Sequence, residues 1–232
     1  EARSLSVEKK IQVALEAEKT ALDFDPRISN SEGAESSSLL NRVVYSNSHG
    51  FSGKYRGSVF SLSVIPVGKL NGAMQRDFWY STRRKFSQLD SPRAVGEKAA
   101  KRVLQRLGAR KVRTQEVPVV FDPETAGSLL RNLSRAISGY SLYKGASFLL
   151  GKIGEQIASP LVTVLDDGTM PAALGSKPFD GEGLPTRNKL IVEEGVLKSY
   201  LLDAYSGRKL GYPSTGNASR SVGDAPGVAP TN

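Results

Sequence analysis

The 232-residue chain contains no cysteine, one histidine, two methionines and one tryptophan. Without cysteine it can have neither a disulfide framework nor thiolate chemistry, and a cytosolic setting is favoured over a secreted one. A zinc site made by one chain needs three or four His, Cys and carboxylate ligands. The single His49 and the missing thiols therefore argue against metal catalysis by this chain, and we expect no cofactor in it.

Long apolar runs are also missing. None approaches the ~20 residues of a membrane span, so we expect no membrane partner and a cytoplasmic location. The start at Glu1 has no apolar region typical of a signal peptide and no Met. The loop-like stretch 225–232 closes the chain. Both ends suggest a piece of a longer protein.

Acidic residues are scarce in one segment only. The chain carries 32 Lys+Arg against 23 Asp+Glu, a net charge of +9. Residues 82–113 hold eleven basic and two acidic residues, and 11 − 2 = +9 accounts for the whole excess. The basic segment 83–113 would suit nucleic acid or an acidic protein partner. Nucleic acid is not favoured, because no recognised nucleic-acid motif is present, and a solvated helix face is the simplest interpretation.

Periodicity organises the first half of the chain. It predicts a helix over 6–23, a loop over 25–33, short β runs with glycine turns over 41–80, and a helix from Pro92 to Gly108. The second helix has an apolar arc and an opposite basic face. That face carries Lys98, Lys101, Arg102 and Arg106.

The second half mixes helices and strands. We predict strands at 117–121 and 161–165, helices at 122–137, 146–154 and 201–210, a Gly/Pro loop at 168–187, and a hairpin over 189–200. The fold class is therefore α+β. An antiparallel β-meander flanked by helices (1–112) precedes a second mixed α/β unit (113–232).

Candidate nucleophiles are weak. Ser141 and Lys144 fit the S-x-x-K pattern, but residues 6–9 and 206–209 fit it too, so the pattern has little specificity. His49 lies in a glycine-flanked turn, where a polar residue is expected for structural reasons. An enzyme using an unrecognised site around His49 is a third possibility.

Several long motifs, in order along nearly the whole chain, resemble the PmbA/TldE branch of the TldD/PmbA family. They are Asn47–Gly53, Met74–Ser81, Val119–Glu124, Ser159–Gly168, Lys177–Arg187, Gly195–Asp203 and Ser214–Ala218. Members of that family are about twice as long. The resemblance implies that residues 1–112 form its central domain and that 113–232 begin a truncated C-terminal domain.

In that family the TldD-type subunit carries H-E-x-x-x-H on a helix, with two zinc-binding His and a general-base Glu. The resemblance aligns Arg131 and Ala136 with the His positions and Asn132 with the Glu. Arginine cannot deprotonate to ligate a metal, alanine has no donor, and asparagine is no base. No catalytic and no metal residue can be transferred to this chain.

The resemblance implies a non-catalytic subunit of a TldD/TldE-type zinc metalloprotease that handles unfolded peptides. It implies a TldD-like partner that holds the zinc, or a homodimer. Peptide contact is expected at 159–165 and in the loop 177–187, whose two acids could also bind a cation or a peptide amine. Its candidate residues are Phe179, Asp180, Glu182 and Arg187. The alternative is a stand-alone binding protein acting through 83–113.

Overall fold

The computed structural model describes residues 5–232, and the chain divides into two compact units. The first contains the chain up to Arg42 and Arg56–Glu116; the second contains Val43–Tyr55 and Val117–Asn232. The sequence indicated one boundary near residue 112, and it did not predict that residues 43–55 group with the second unit. Residues 1–4 of the predicted first domain lie outside the described residues.

Two capped helices belong to the first unit, as predicted. Helix α1 spans Val7–Leu22 and helix α2 spans Pro92–Arg106. Each begins after a serine, Ser6 or Ser91, whose Oγ accepts a hydrogen bond from a first-turn N–H, at 3.2 and 3.1 Å. Such a cap satisfies one of the amide groups that a helix start leaves without a partner.

Four strands form the first sheet. They are β1 (Ile28–Ser46), β2 (Ser52–Leu70), β3 (Ala73–Arg76) and β4 (Trp79–Arg83). β1 pairs with β2, and β3 and β4 pair antiparallel with successive parts of β2. A short 3₁₀ turn, Phe86–Gln88, follows β4.

The sheet corrects two predictions. Residues 28–33, predicted as loop, start β1, because pairing with β2 outweighs their turn-forming residues. The last of the β runs predicted within 41–80 is interrupted at Asp77, whose Oδ1 accepts a hydrogen bond from the Phe78 N–H at 2.8 Å. That local bond gives the backbone an alternative to the ladder.

The core of the first unit depends on close approach of α1 and α2. Val95, Ala99 and Ala100 of α2 are fully buried and cluster with α1 and β2. Gly96 lies against the α1 backbone, where an added Cβ would overlap the Ala17 carbonyl oxygen. The two helices can therefore pack at this distance only if residue 96 has no side chain.

Gly96→Ala should lower the free energy of unfolding by about 1–3 kcal/mol, because the methyl must displace backbone. Gly127→Ala is the matched control. Gly127 also lies inside a helix but has no atom within 4 Å of its added Cβ. The Gly127→Ala variant should have a free energy of unfolding about 0.4–1 kcal/mol higher than wild type. Denaturant unfolding of both variants measures the difference, and equal stabilities would contradict the close packing.

Five short strands and three helices form the second unit within the described residues. They are α3 (Pro123–Ala136), α4 (Gly139–Tyr143), β5 (Val164–Asp167), β6 (Asn188–Glu193), β7 (Val196–Leu197), α5 (Ala204–Leu210), β8 (Ala218–Ser219) and β9 (Gly227–Val228). β5, β6 and β7 form one antiparallel sheet, and β8 pairs with β9. With the first sheet, this confirms the predicted α+β class. The core centres on Tyr200, whose Oη donates to the Leu149 carbonyl at 2.6 Å.

Three local predictions in this unit were wrong. Residues 117–121 are irregular rather than a strand, and Val120 is 96% exposed, because no neighbouring strand pairs with them. Residues 146–154 form turns instead of a helix. The strand predicted at 161–165 begins only at Val164. None of the helices in residues 5–232 combines the length and apolar character needed to cross a membrane.

Candidate functional site

The loop 177–187 is fixed by the buried carboxylate of Asp180. Its Oδ1 accepts hydrogen bonds from the backbone N–H groups of Glu182 and Leu184, both at 2.9 Å. Its Oδ2 accepts one from the N–H of Ala218 in β8, at 3.0 Å. A buried charge is costly unless such donors surround it. The carboxylate therefore ties the loop both to itself and to β8.

Aromatic rings attach the same loop to residues 43–55, the tip of the β1–β2 hairpin. The Phe179 ring meets Phe51 and Tyr55 edge to face, with centroids 5.1 and 5.2 Å apart. Gly53 and Gly183 make room for these rings. A Cβ at either would lie 2.6 Å from a ring atom, and Gly183 also has a φ of +86°. Larger residues at 53 and 183 would separate the hairpin tip from the loop.

Asn47 shapes the turn at that tip. Its Oδ1 accepts hydrogen bonds from the N–H groups of His49 and Phe51, at 3.0 and 3.2 Å. Its Nδ2 donates to the Glu182 carbonyl at 3.4 Å. The chain's one histidine is thus an exposed turn residue.

A cleft of about 220 Å³ opens between the hairpin tip, the loop and residues 219–222. Aromatic and aliphatic side chains line most of it, with three charged groups among them. The lining residues that matter for its chemistry are Tyr45, Tyr55, Phe179, Lys177, Asp180 and Arg220. Apolar walls with a few charged groups are typical of sites for small ligands.

Lys177 is the unusual group of this cleft. Burial lowers the pKa of its ammonium, whereas the charges of Asp180 and Asp166 raise it. No carboxylate of residues 5–232 lies within 4 Å of it. A half-buried ammonium without an ion-pair partner is therefore available to a ligand.

Two acidic side chains lie behind the loop. Glu182 Oε2 accepts a hydrogen bond from the Ala204 N–H, at the start of α5, at 2.8 Å. The buried Asp203 caps that helix through Oδ1, which accepts from the Ser206 N–H at 2.7 Å. Burial raises the pKa of Glu182; the Ala204 N–H opposes this rise, and the charges of Asp203 and Asp180 add to it.

Glu182→Gln should stabilise the protein relative to wild type increasingly as pH rises. A carboxyl with a raised folded-state pKa stabilises the fold below its unfolded pKa, and this contribution is lost as pH rises through the folded value. For Glu182 the window starts near its ordinary value of 4.5 and extends upward. Gln keeps an acceptor for the Ala204 N–H.

Melting temperatures of both proteins between pH 4.5 and 7.5 measure this effect. Glu193→Gln is the control, since the Glu193 carboxylate is half exposed and pairs with Lys198. A difference between Glu182→Gln and wild type that does not grow with pH would contradict the assignment.

A second buried carboxylate, that of Asp166, lies in a network of its own. The buried Asp166 of β5 pairs with the mostly buried Lys189 of β6 at 3.0 Å. Its carboxylate also accepts hydrogen bonds from Asn217 and Thr231. Burial opposes ionisation, but these donors together lower the pKa of Asp166. The network joins β5 and β6 to the segments before and after the β8–β9 pair.

The four predicted peptide-contact residues lie in different places. Phe179 and Asp180 line the cleft, although Asp180 is occupied by backbone amides. Glu182 is directed to α5, and Arg187 is exposed and does not line the cleft. Residues 159–165 do not line it either. Peptide contact through any of these residues stays a prediction.

Among the lining residues that sequence reasoning did not name as candidates are Lys177, Tyr45, Tyr55 and Arg220. Tyr45 and Tyr55 lie on paired strands that flank the predicted turn at His49, which was a usable signal. Lys177 is the first residue of the motif Lys177–Arg187, but its burial cannot be deduced from the sequence. Arg220 comes close because Ala218, two residues earlier, donates its N–H to Asp180 and accepts a hydrogen bond from the Gly181 N–H.

The three degenerate motif positions lie on or at the end of α3. Arg131 borders a separate opening of about 490 Å³ together with Arg135, Ser134 and Ser138. Neither Asn132 nor Ala136 lines it. Residues 5–232 contain no group of three or more His, Cys, Asp or Glu side chains able to hold a metal. The side chains at this helix therefore do not fit zinc.

The predicted basic face of α2 is partly used within its own unit. Lys98 Nζ lies 3.6 Å from the centroid of the Trp79 ring, and the Arg102 guanidinium lies 5.5 Å from it. Asp77 pairs with Arg102 at 3.4 Å and with Arg106 at 3.7 Å. These contacts give three of the four basic residues a structural role. The fourth, Lys101, lies 5.7 Å from the Phe24 ring centroid.

Comparison with known proteins finds two family models. One, described as PmbA/TldA metallopeptidase central domain, matches residues 1–107; the other, described as its C-terminal domain, matches residues 114–232. A metalloprotease PmbA homolog of Haemophilus influenzae is 42% identical over 94% of this chain, and metalloprotease PmbA of Escherichia coli O157:H7 is 40% identical over 92%. The chain spans 48% of the length of each of these relatives.

A solved structure shares the fold of the whole chain. TldE from Thermococcus kodakarensis superposes with a TM-score of 0.88 at 26% identity, covering 99% of this chain and 52% of that one.

Proposed function

Because the chain belongs to the PmbA/TldE branch of the PmbA/TldD metallopeptidase family, we propose that it acts as a PmbA/TldE-like, non-catalytic subunit of a TldD/TldE-type zinc metalloprotease. The observation that carries the proposal is the chemistry of α3. Where the resemblance places zinc ligands and a general base, this chain has Arg131, Ala136 and Asn132. None of these can bind zinc or accept the proton from water.

The zinc then belongs to a TldD-like partner subunit, and this chain contributes surface for the substrate. The substrates are unfolded peptides, and the setting is the cytoplasm. A complex of two copies of this chain is the other assembly to consider, but it would provide no zinc ligands at α3. The proposal therefore requires a partner of the TldD type for cleavage.

The cleft beside loop 177–187 is the surface that best supports peptide handling. It combines apolar walls with a lysine that has no ion-pair partner in the described chain. Peptides present both apolar side chains and charged ends, so such a cleft suits them. This surface, rather than α3, is where we expect substrate contact.

The alternative of a stand-alone binding protein depends on the basic segment 83–113. Contacts of Lys98, Arg102 and Arg106 with Trp79 and Asp77 give that face a role inside the fold, which weakens this alternative. Binding of nucleic acid would fall with salt by a slope near −0.9 per neutralised phosphate. Peptide binding in an apolar cleft should depend on salt much less.

The proposal is tested by mixing the full-length protein with a TldD-type partner and following cleavage of an unfolded peptide. We expect cleavage only by the mixture, and zinc bound stoichiometrically to the partner alone. A partner variant in which the Glu of H-E-x-x-x-H is replaced by Gln should abolish all cleavage. Stoichiometric zinc in this subunit by itself, or cleavage surviving in that mixture, would refute the non-catalytic role.

A further inference from the structure

We propose that the cleft beside loop 177–187 binds the free C-terminal carboxylate of a peptide. Lys177 recognises the carboxylate, and the rings of Tyr45, Tyr55 and Phe179 receive the last side chain. This inference rests on the proposed function in one respect only, that the ligand is a peptide. It assigns the end of the peptide that is recognised and the residue that recognises it.

The first argument is the state of Lys177. Its ammonium is half buried and has no carboxylate of residues 5–232 within 4 Å. Burial without a partner disfavours the charged form, and its pKa is lowered accordingly. A carboxylate that enters the cleft would add a counter-charge in direct contact, beyond the more distant charges of Asp180 and Asp166, and would form a charge-assisted hydrogen bond.

The second argument is the balance of charge around the cleft. Lys177 and Arg220 are its two cations, and Asp180 is its one anion. Asp180 accepts three backbone N–H bonds through both of its oxygens, so those amides already compensate much of its charge. The exposed Arg220 adds a positive charge at the opening. An anionic ligand is therefore favoured over a cationic one.

The third argument is size and lining. About 220 Å³ lies below the ~300 Å³ at which typical small-ligand pockets begin, so the cleft suits a single residue. Three aromatic rings line it, two of them packed edge to face at 5.2 Å. An apolar or aromatic terminal side chain would find contact there, with its carboxylate within reach of the ammonium.

The test is a direct binding measurement on the full-length protein alone. A fluorescein-labelled unfolded decapeptide ending in Phe is prepared with a free carboxylate and with a C-terminal amide, and anisotropy gives both Kd values. We expect the free acid to bind about tenfold more tightly. Lys177→Met should remove that preference while keeping the aliphatic stem, and Lys177→Arg should restore much of it.

Lys54→Met is the matched control. Lys54 lies exposed on the same hairpin and does not line the cleft, so its loss should leave the preference intact. Thermal melts of all variants verify folding. Equal binding of acid and amide, a preference that survives Lys177→Met, or no binding of either peptide would overturn the proposal.

A further peptide separates the two sources of a carboxylate. An amidated peptide ending in Glu carries the charge only on its side chain, and we expect it to bind no better than the amidated Phe peptide. Binding as tight as that of the free acid would overturn recognition of the chain end. Because no partner subunit is present, these results are independent of cleavage; failure of the reconstituted protease would contradict the proposed function and leave the binding result standing.

Discussion

The site in the second unit depends on one buried carboxylate. Asp180 accepts hydrogen bonds from the N–H groups of Glu182, Leu184 and Ala218, which are distant in sequence or turned back on the loop. These bonds place Phe179 against the rings of the hairpin tip. They fix the part of the loop around Asp180, while the backbone of Lys177 is held by its own N–H, which donates to the Gly168 carbonyl at 3.1 Å. The glycine-rich loop is held in one conformation because the buried Asp180 carboxylate needs these backbone N–H donors.

The chemistry of this cleft differs from that of helix α3, although both belong to the second unit. At α3, the side chains Arg131, Asn132 and Ala136 exclude zinc by their donor chemistry. At the cleft, apolar rings and a half-buried lysine provide an environment for a ligand without any metal. The cleft is thus a surface suited to binding, whereas the three α3 side chains are not those of a zinc-binding motif. That division is the physical basis for assigning it a substrate-handling role beside a catalytic partner.

Local signals in the sequence were sufficient for the helices that begin with a cap. Ser6, Ser91 and Asp122 start helices as predicted, because capping is a contact between neighbours in sequence. Strands depended on partners that no local pattern reveals: residues 28–33 pair despite turn residues, whereas 117–121 stay irregular despite their valines. The loop 177–187 was singled out as a candidate from its length and residue types, and its chemistry was assigned to the acids. In the structure Asp180 accepts hydrogen bonds from backbone amides, and Lys177 is the charged residue of the loop to which we assign ligand binding in our proposal.

The most direct measurement of the central claim is native-state hydrogen exchange of wild type and Asp180→Asn. The amide replaces one acceptor oxygen by an NH₂ group that faces a backbone donor, and losing such a buried bond costs about 1–3 kcal/mol. The amides that should exchange faster depend on which oxygen is replaced: Ala218 if it is Oδ2, and Glu182 and Leu184 if it is Oδ1. The account predicts that exchange there is at least about tenfold faster and that the preference for the peptide with a free C-terminal carboxylate is lost. Asp167→Asn, at a half-buried residue whose carboxylate accepts hydrogen bonds from Thr169, should change neither. Unaltered exchange and binding in Asp180→Asn would contradict the account.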